Sequence, residues 1–336
     1  MGGGYPVAAK ETRYITAITE ALQEEMRRDP SVFVIGEDVR AGAFGYTMGM
    51  LAEFGEDRVI NTPISESGFC GAALGAAMHG LRPVVDLKIS SFMYVALDPI
   101  VNGAAKVRYM FGGQTKVPVV YLCRSGAPGN NAAQHSDNPY PLLINSPGLK
   151  VVTPADAYDM KGLLKTAIRD DDPVAVLATV RGASAMVPAE EYTIPLGQGA
   201  VKRVGSDVTV VAIMHLVAEA LAAAEELEKE EISVEVVDPR TLVPLDRDMI
   251  FASVAKTGRL VIADDSPRSC GFAAEVAALV AEEIVDVLKA PIRRVTRLNV
   301  PIPFSTPMEN MVLPNRQKIV AAVRETVSAA RKGQTR

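Results

Sequence analysis

NTPISESGFCGAALGAAMHG, residues 61–80, is the stretch on which the reading of this chain turns. A turn containing Pro63 delivers a carboxylate, Glu66, to the start of a segment so rich in Gly and Ala that backbone rather than side chain must pack there. Glu66 is its only acidic residue and His79 its only basic one. A carboxylate at the mouth of an apolar helix has two readings: a helix-terminal group stabilised by the dipole, or a functional acid set in a pocket. The window alone leaves both open. The apolar run PVVDLKI (83–89) follows as a strand, so the stretch has the form of one unit in an alternating α/β chain.

The alternation continues in both directions. Upstream, Ile15, Ile18, Leu22 and Met26 recur at helical spacing, and SVFVIG (31–36) reads as a short buried strand. Its exit, GEDV, puts Glu37 and Asp38 just past the strand's C-terminal end, where an open α/β sheet carries its functional groups. Glu37 is a cofactor-contact candidate there, against the plainer reading of a solvated acidic turn. Downstream, SFMYVALDPIVNGAAKVRYMFGG reads as one long helix stopping at Gly112 and Gly113. VPVVYLC (117–123) reads as a strand apolar enough to be covered on both faces. The aperiodic loop RSGAPGNNAAQHSDNPYP then carries His135, in the kind of segment where chemistry tends to sit. LKVVTP is a strand, 155–169 a helix, and DDDPVAVLA a strand entered through an acidic turn.

Residues 191–205 lose the pattern to Pro, Gly and isolated charges and read as a linker. A second alternation follows: VTVVAI, a helix at 216–229, ISVEVVD, RLVIADD, a helix at 271–288, PIRRVTRL and a helix at 316–331. The expectation is an α/β chain of two parallel-rich domains, 13–190 and 206–336, with flexible residues at 1–12 and a flexible basic end, RKGQTR.

Composition narrows the function. A chain of 336 residues with 48% hydrophobic content can bury two cores. A net charge of −5 leaves no basic footprint for nucleic acid. Cys70, Cys123 and Cys270 lie far apart without CxxC spacing, which argues against a zinc site or a disulfide framework and fits a reducing cytoplasm. The start lacks an apolar signal core, and no apolar run approaches the roughly 20 residues that span a bilayer, so no membrane is expected. GxGxxG, GxxxxGK[ST], GxSxG and HExxH are all missing. Imidazole chemistry therefore falls to His79, His135 or His215. His79 reads as a helix-end residue and His215 as a sheet-edge residue of either role, while His135 lies between polar neighbours in its loop.

The blocks GEDV, NTPISESGFCGAALGAAMHGLRPVVDL, SFMYVALDPIVNGAAKVRYMFGG, AAQHS, SPGLKVVTPADAYDMKGLLKTAIRDDDPV, DPRTLVPLD and KTGRLVIADD resemble the beta subunit of the thiamine-diphosphate-dependent decarboxylase component of 2-oxo acid dehydrogenase complexes, the pyruvate, branched-chain and acetoin dehydrogenases. The resemblance implies a transketolase-like fold, a pyrimidine-binding domain followed by a transketolase-type C-terminal domain. It also accounts for the lack of any Gly-Asp-Gly motif, because in this family an alpha subunit carries the diphosphate and magnesium half of the site. An α2β2 heterotetramer and a lipoyl-bearing acyltransferase are the implied partners.

On this resemblance, Glu66 corresponds to the glutamate that hydrogen-bonds the aminopyrimidine, Phe92 to the aromatic that stacks on it, and His135 to the histidine serving proton and acyl transfer. Asp170 and Asp172, with the carbonyls of Val119, Ala167 and Ile168, correspond to a structural potassium site. Asn145 stands where several relatives carry histidine, and Lys88, Ser90 and Ser91 occupy a segment usually more apolar. These departures bear on substrate and acyl acceptor. Two other classes compete: the beta half of a split transketolase, and a non-catalytic assembly subunit.

Overall fold

The computed structural model describes residues 9–333, with side chains to residue 329. The expected flexible start and basic end lie outside the described residues at 1–8 and 334–336, but Ala9–Thr12 is strand β1. There follow β2 (Val32–Gly36), β3 (Val59–Asn61), β4 (Arg82–Ile89), β5 (Val120–Ser125), β6 (Lys150–Val152), β7 (Val174–Thr179) and β8 (Ala185–Pro188). The second half adds β9 (Ala200–Arg203), β10 (Val208–Ala212), β11 (Val234–Asp238), β12 (Thr241–Val243), β13 (Leu260–Pro267) and β14 (Arg293–Arg297).

These strands form a seven-stranded sheet ordered β12-β6-β7-β5-β4-β2-β3 and a five-stranded sheet ordered β14-β13-β10-β11-β9, with β1 and β8 as a separate ribbon. Only β12 in the first sheet and β9 in the second run antiparallel to their neighbours. The parallel-rich α/β expectation holds, and the burial pattern shows why. Alternate residues of the same strands feed two cores: Phe33, Ile35, Val85, Leu87, Tyr121 and Cys123 on one face, Val32, Val34, Val84, Val120 and Leu122 on the other. Such strands read as unbroken apolar runs because helices cover both faces. The first core continues through Val211, Val237, Ile262 and Phe272, so no solvent layer divides the halves.

Helix Tyr14–Arg28 buries Tyr14, Ile18, Leu22 and Met26, whereas Ile15 is exposed. Its polar side meets helix Ala157–Arg169 through charges: Lys161 with Glu24 at 2.7 Å, Lys165 with Glu24 at 2.8 Å, Arg169 with Glu25 at 2.6 Å.

Two expectations need correction. The long helix after β4 is broken into a 3-10 turn (Ser90–Tyr94), a π-helical segment (Asp98–Ala104) and a short α-helix (Ala105–Met110). Pro99 has no N–H to give the helix ladder and its ring crowds the preceding turn, which favours a widened segment there. The linker is also not featureless, since β9 lies inside it and pairs with β11. Strand β12, from the second half, pairs with β6 at Thr241↔Val152 and Val243↔Val151. The strand exchange therefore runs one way, from the second half into the first sheet. Helices Arg247–Thr257 and Thr306–Val312 were not foreseen.

Lys202 on β9 sits at this seam, 2.8 Å from Asp156 and also paired with Asp159, with Asp238 at 3.9 Å. Asp156 caps helix Ala157–Arg169 by accepting from the Asp159 amide. Lys202→Met leaves these carboxylates short of a cation, and a loss of about 3–5 kcal/mol in unfolding free energy is expected from chemical denaturation. Burial first, and the Asp159 charge second, push the Asp238 carboxyl up to about 7. Its folded pKa lies above the unfolded value near 3.9, so its contribution is complete below about pH 4 and is lost as pH rises through 7. Asp238→Asn should remove that slope from the melting temperature. Gly148, in the turn before β6, has φ +97°, and a Cβ there would fall 1.9 Å from the Ala105 carbonyl oxygen. Gly148→Ala should cost about 1–3 kcal/mol, read as a lower urea midpoint at unchanged slope.

Candidate functional site

Four neighbouring parallel strands, β5, β4, β2 and β3, all end at one edge of the first sheet. Each carries a sequence-selected residue just beyond its C-terminal end: His135 after β5, Phe92 after β4, Glu37 after β2 and Glu66 after β3. That edge is where open α/β sheets assemble sites, because loops there diverge over a shared crevice.

Glu66 is the first residue of helix Glu66–Met78, while Ser65 holds the cap position without a side-chain bond. The capping reading therefore fails in its strict form, although the helix dipole still favours the charge. Glu66 is only 9% exposed and accepts no hydrogen bond from any described residue. One turn on, burial and then the Glu66 charge push the Cys70 thiol up to about 12. The next residue, Ser67, donates to the Val95 carbonyl at 2.5 Å, fastening the helix start to the segment that bears Phe92.

Phe92 lies on the 3-10 turn and His135 ends the short helix Ala132–His135. Their rings meet edge to face, 5.5 Å between centroids at 85°. The half-buried Phe92 presents an apolar surface while the exposed His135 reaches solvent. The structure thus brings Phe92 and His135 into contact and ties Glu66 to the same segment. Glu37 is half-buried at the same edge, and among the described residues no side-chain bond links it to the other three.

Sequence reasoning missed the residues that hold these loops. Ser90 donates to the Asp137 carbonyl at 2.7 Å and Ser91 to the Gln134 carbonyl. Tyr94 donates to Asp137 Oδ2 and Arg297 to Asp137 Oδ1, each at 2.6 Å. Burial opposes the Asp137 charge, but the Tyr94 hydroxyl and the Arg297 guanidinium outweigh it and hold its pKa below the usual carboxylate range. Lys88 also gains a structural account. Its φ is +58° where the β4–β5 register shifts, and its ammonium reaches the buried Asp86 at 2.5 Å, which Tyr46 also bonds at 2.7 Å. The resulting bulge turns the chain into the Ser90–Tyr94 segment.

The other candidates fall elsewhere. His79 ends helix Glu66–Met78 with Nδ1 2.9 Å from the Gly75 carbonyl oxygen, a helix-end role. His215 is buried before helix Leu216–Glu228, and burial pushes its pKa down to about 4, leaving a neutral ring. The potassium set Val119, Ala167, Ile168, Asp170 and Asp172 is gathered in one region, but its donors are engaged. Lys150 lies 2.8 Å from Asp170 and 3.2 Å from Asp172, Arg108 also pairs with Asp172, and Arg82 donates to the carbonyls of Ile168 and Asp170. Val119 and Ala167 carbonyls accept backbone amides. With side-chain cations already seated on both carboxylates, this arrangement does not fit a potassium ion. Among the described residues no group of three or more His, Cys, Asp or Glu is gathered as for a metal.

Comparisons with known proteins give the family. The family model "Transketolase, pyrimidine binding domain" matches residues 10–183, and "Transketolase, C-terminal domain" matches 197–319. The acetoin:2,6-dichlorophenolindophenol oxidoreductase subunit beta of Bacillus subtilis is 45% identical, covering 92% of this chain and 95% of its own. The pyruvate dehydrogenase E1 component subunit beta of Rickettsia felis is 46% identical over 92% and 96%. The 2-oxoisovalerate dehydrogenase subunit beta of Bacillus subtilis is 41% identical over 93% and 97%. Among solved structures, a split-gene transketolase described as an inactive beta4 tetramer superposes with a TM-score of 0.75 at 25% identity, covering 94% of this chain and 97% of that one. With both domain families matched in order and such identities along nearly its whole length, the chain belongs to the family of 2-oxo acid and acetoin dehydrogenase beta subunits built on the transketolase-like fold.

Proposed function

We propose that this chain supplies the pyrimidine half of a thiamine diphosphate site which an alpha subunit completes, in an enzyme that cleaves a 2-oxo acid or acetoin and passes the acyl unit to a lipoyl domain. One observation carries the reading: Glu66 is buried, charged-type and without a partner in its own chain, at the edge where Phe92 and His135 meet. A ring nitrogen of an aminopyrimidine carries a lone pair, so it meets Glu66 by sharing one proton with the carboxyl group. The donor set on this side therefore fits the cofactor's ring. Magnesium and the diphosphate belong to the alpha subunit's half in this proposal, as does assembly into α2β2.

When bound, thiamine diphosphate supplies an acidic thiazolium carbon that adds to a carbonyl and accepts the electron pair released on cleavage. The chain's own residues do the rest on this side. Glu66 Oε would share a proton with the ring nitrogen. Phe92 offers the ring an apolar wall. His135, at the mouth, can take or return a proton through its imidazole as substrate bonds break and the acyl unit leaves.

The test is reconstitution with the alpha partner, assayed with pyruvate, branched-chain 2-oxo acids, acetoin and sugar phosphates. Turnover should require both chains and favour one of the first three; turnover by this chain alone would end the half-site proposal, and preference for sugar phosphates would move it to the split transketolase class. Glu66→Gln should lower turnover of the reconstituted enzyme at least about 100-fold while its circular dichroism and melting temperature stay at wild-type values.

A further inference from the structure

His135 and Phe92 are each followed, two residues later, by a side chain committed to one ion pair. Asp137 accepts from Tyr94 on one oxygen and from Arg297 on the other, both at 2.6 Å. Tyr94 belongs to the Phe92 turn and Asp137 to the His135 loop, but Arg297 is the last residue of β14, at the edge of the second sheet. The guanidinium thus comes from 160 residues away to close a bond between the two segments that meet at the candidate site.

Neighbouring bonds repeat the pattern. Asn138 donates to the Asp265 carbonyl at 2.9 Å and to its Oδ2 at 2.8 Å, and the Ala127 amide donates to the same Oδ2 at 3.2 Å. The loop that carries His135 is therefore fastened at both ends to β13 and β14 of the second domain. Arg297 and Asp265 are buried at 4% and 0% exposure, while Asp137 is partly open to solvent, so the contact is half-buried rather than a free surface pair. Tyr94, Asp137 and Arg297 also line a cleft of about 940 Å³ between the two halves, with solvent on one side of the clamp.

We infer that Arg297 is a positioning residue: through Asp137 and Tyr94 it sets the placement of His135 against Phe92, so that the second domain governs the step His135 serves. The inference rests on the reading of His135 as the group acting at the mouth of the site. The bond is a single charge-assisted contact from Arg297 Nη2 to Asp137 Oδ1, and it fixes the distance between β14 and the His135 loop. Asp137 is the hinge point, since its two oxygens divide between the segments and its backbone carbonyl takes Ser90 as well. Loss of that contact would let the 132–138 loop tilt away from the 3-10 turn, and misplacement by about an ångström can cost on the order of 100-fold in rate.

The experiment uses this chain reconstituted with its alpha subunit and compares wild type, Arg297→Met, Arg297→Lys, Asp137→Asn, His135→Ala and the double variant Arg297→Met/His135→Ala. Acyl transfer to a lipoyl domain gives kcat, with KM for the 2-oxo acid or acetoin; cofactor binding is followed by near-ultraviolet circular dichroism. Arg297→Met and Asp137→Asn should lower kcat about 10- to 100-fold with KM and cofactor binding within twofold. Arg297→Lys should recover a large part of the rate. The double variant should be no slower than His135→Ala alone, because a positioning residue has nothing left to position. A merely structural role predicts instead that the two losses multiply, and that result overturns the inference, as does a wild-type kcat in both Arg297→Met and Asp137→Asn. If Arg297→Met fails to fold, Asp137→Asn in the His135→Ala background gives the same comparison. Should His135→Ala keep the wild-type rate, the reading of His135 falls and the inference with it; should His135→Ala slow the enzyme while the clamp variants behave additively, only the inference falls.

Discussion

A carboxyl group on a largely buried residue with no hydrogen-bond partner among the described residues is an interaction left open, and Glu66 is in that state. Folds keep groups of this kind where something from outside completes them. The surrounding architecture serves that position: β3 ends five residues earlier, the Gly/Ala helix begins at Glu66, and Ser67 fastens that start to the Phe92 segment. The candidate residues of the site are thereby tied to one another within this chain.

The two domains are not beads on a string. One core runs through both, and β12, from the second domain, completes the first sheet. Lys202 and the Arg297–Asp137 pair are the charged counterparts of this joining, one at the helix that caps on Asp156, the other at the site's own loops. Buried ion pairs of this sort are weak sources of net stability, but breaking one strands a charge, so they hold a geometry better than apolar contacts of the same area do.

Much of this was legible in the sequence, and the rest was hidden for identifiable reasons. Strands β2, β4 and β7 announce themselves as apolar runs covered on both faces, and the helices at 14–28 and 157–169 by their spacing. The break after β4 was concealed because Ser90–Met110 keeps a helical composition throughout and only Pro99 disturbs it locally. Strands β9 and β12 are four and three residues long, too short for periodicity to register. Of the site, Glu66, Phe92 and His135 came from the resemblance, since each had an ordinary reading on its own. Tyr94, Asp137 and Arg297 left no local signal at all: a bond spanning 160 residues has no spacing to detect. At the DDD run the resemblance names a cation site, while the pairing of its carboxylates with Lys150 and Arg108 comes from residues 20 or more positions away and has no local signal.

The exchange of β12 has a consequence for how such chains can be recombined. Thr241–Val243 falls within the C-terminal family match yet forms the outer strand of the cofactor domain's sheet. A hybrid that took residues 197–319 from a relative would therefore import a foreign edge strand into the domain it meant to leave untouched. It would also import a foreign residue at 240, where the native arginine reaches Asp159. The divisible units of this protein are not the two matched segments, and a graft that respected the fold would leave 241–243 with the sheet they complete.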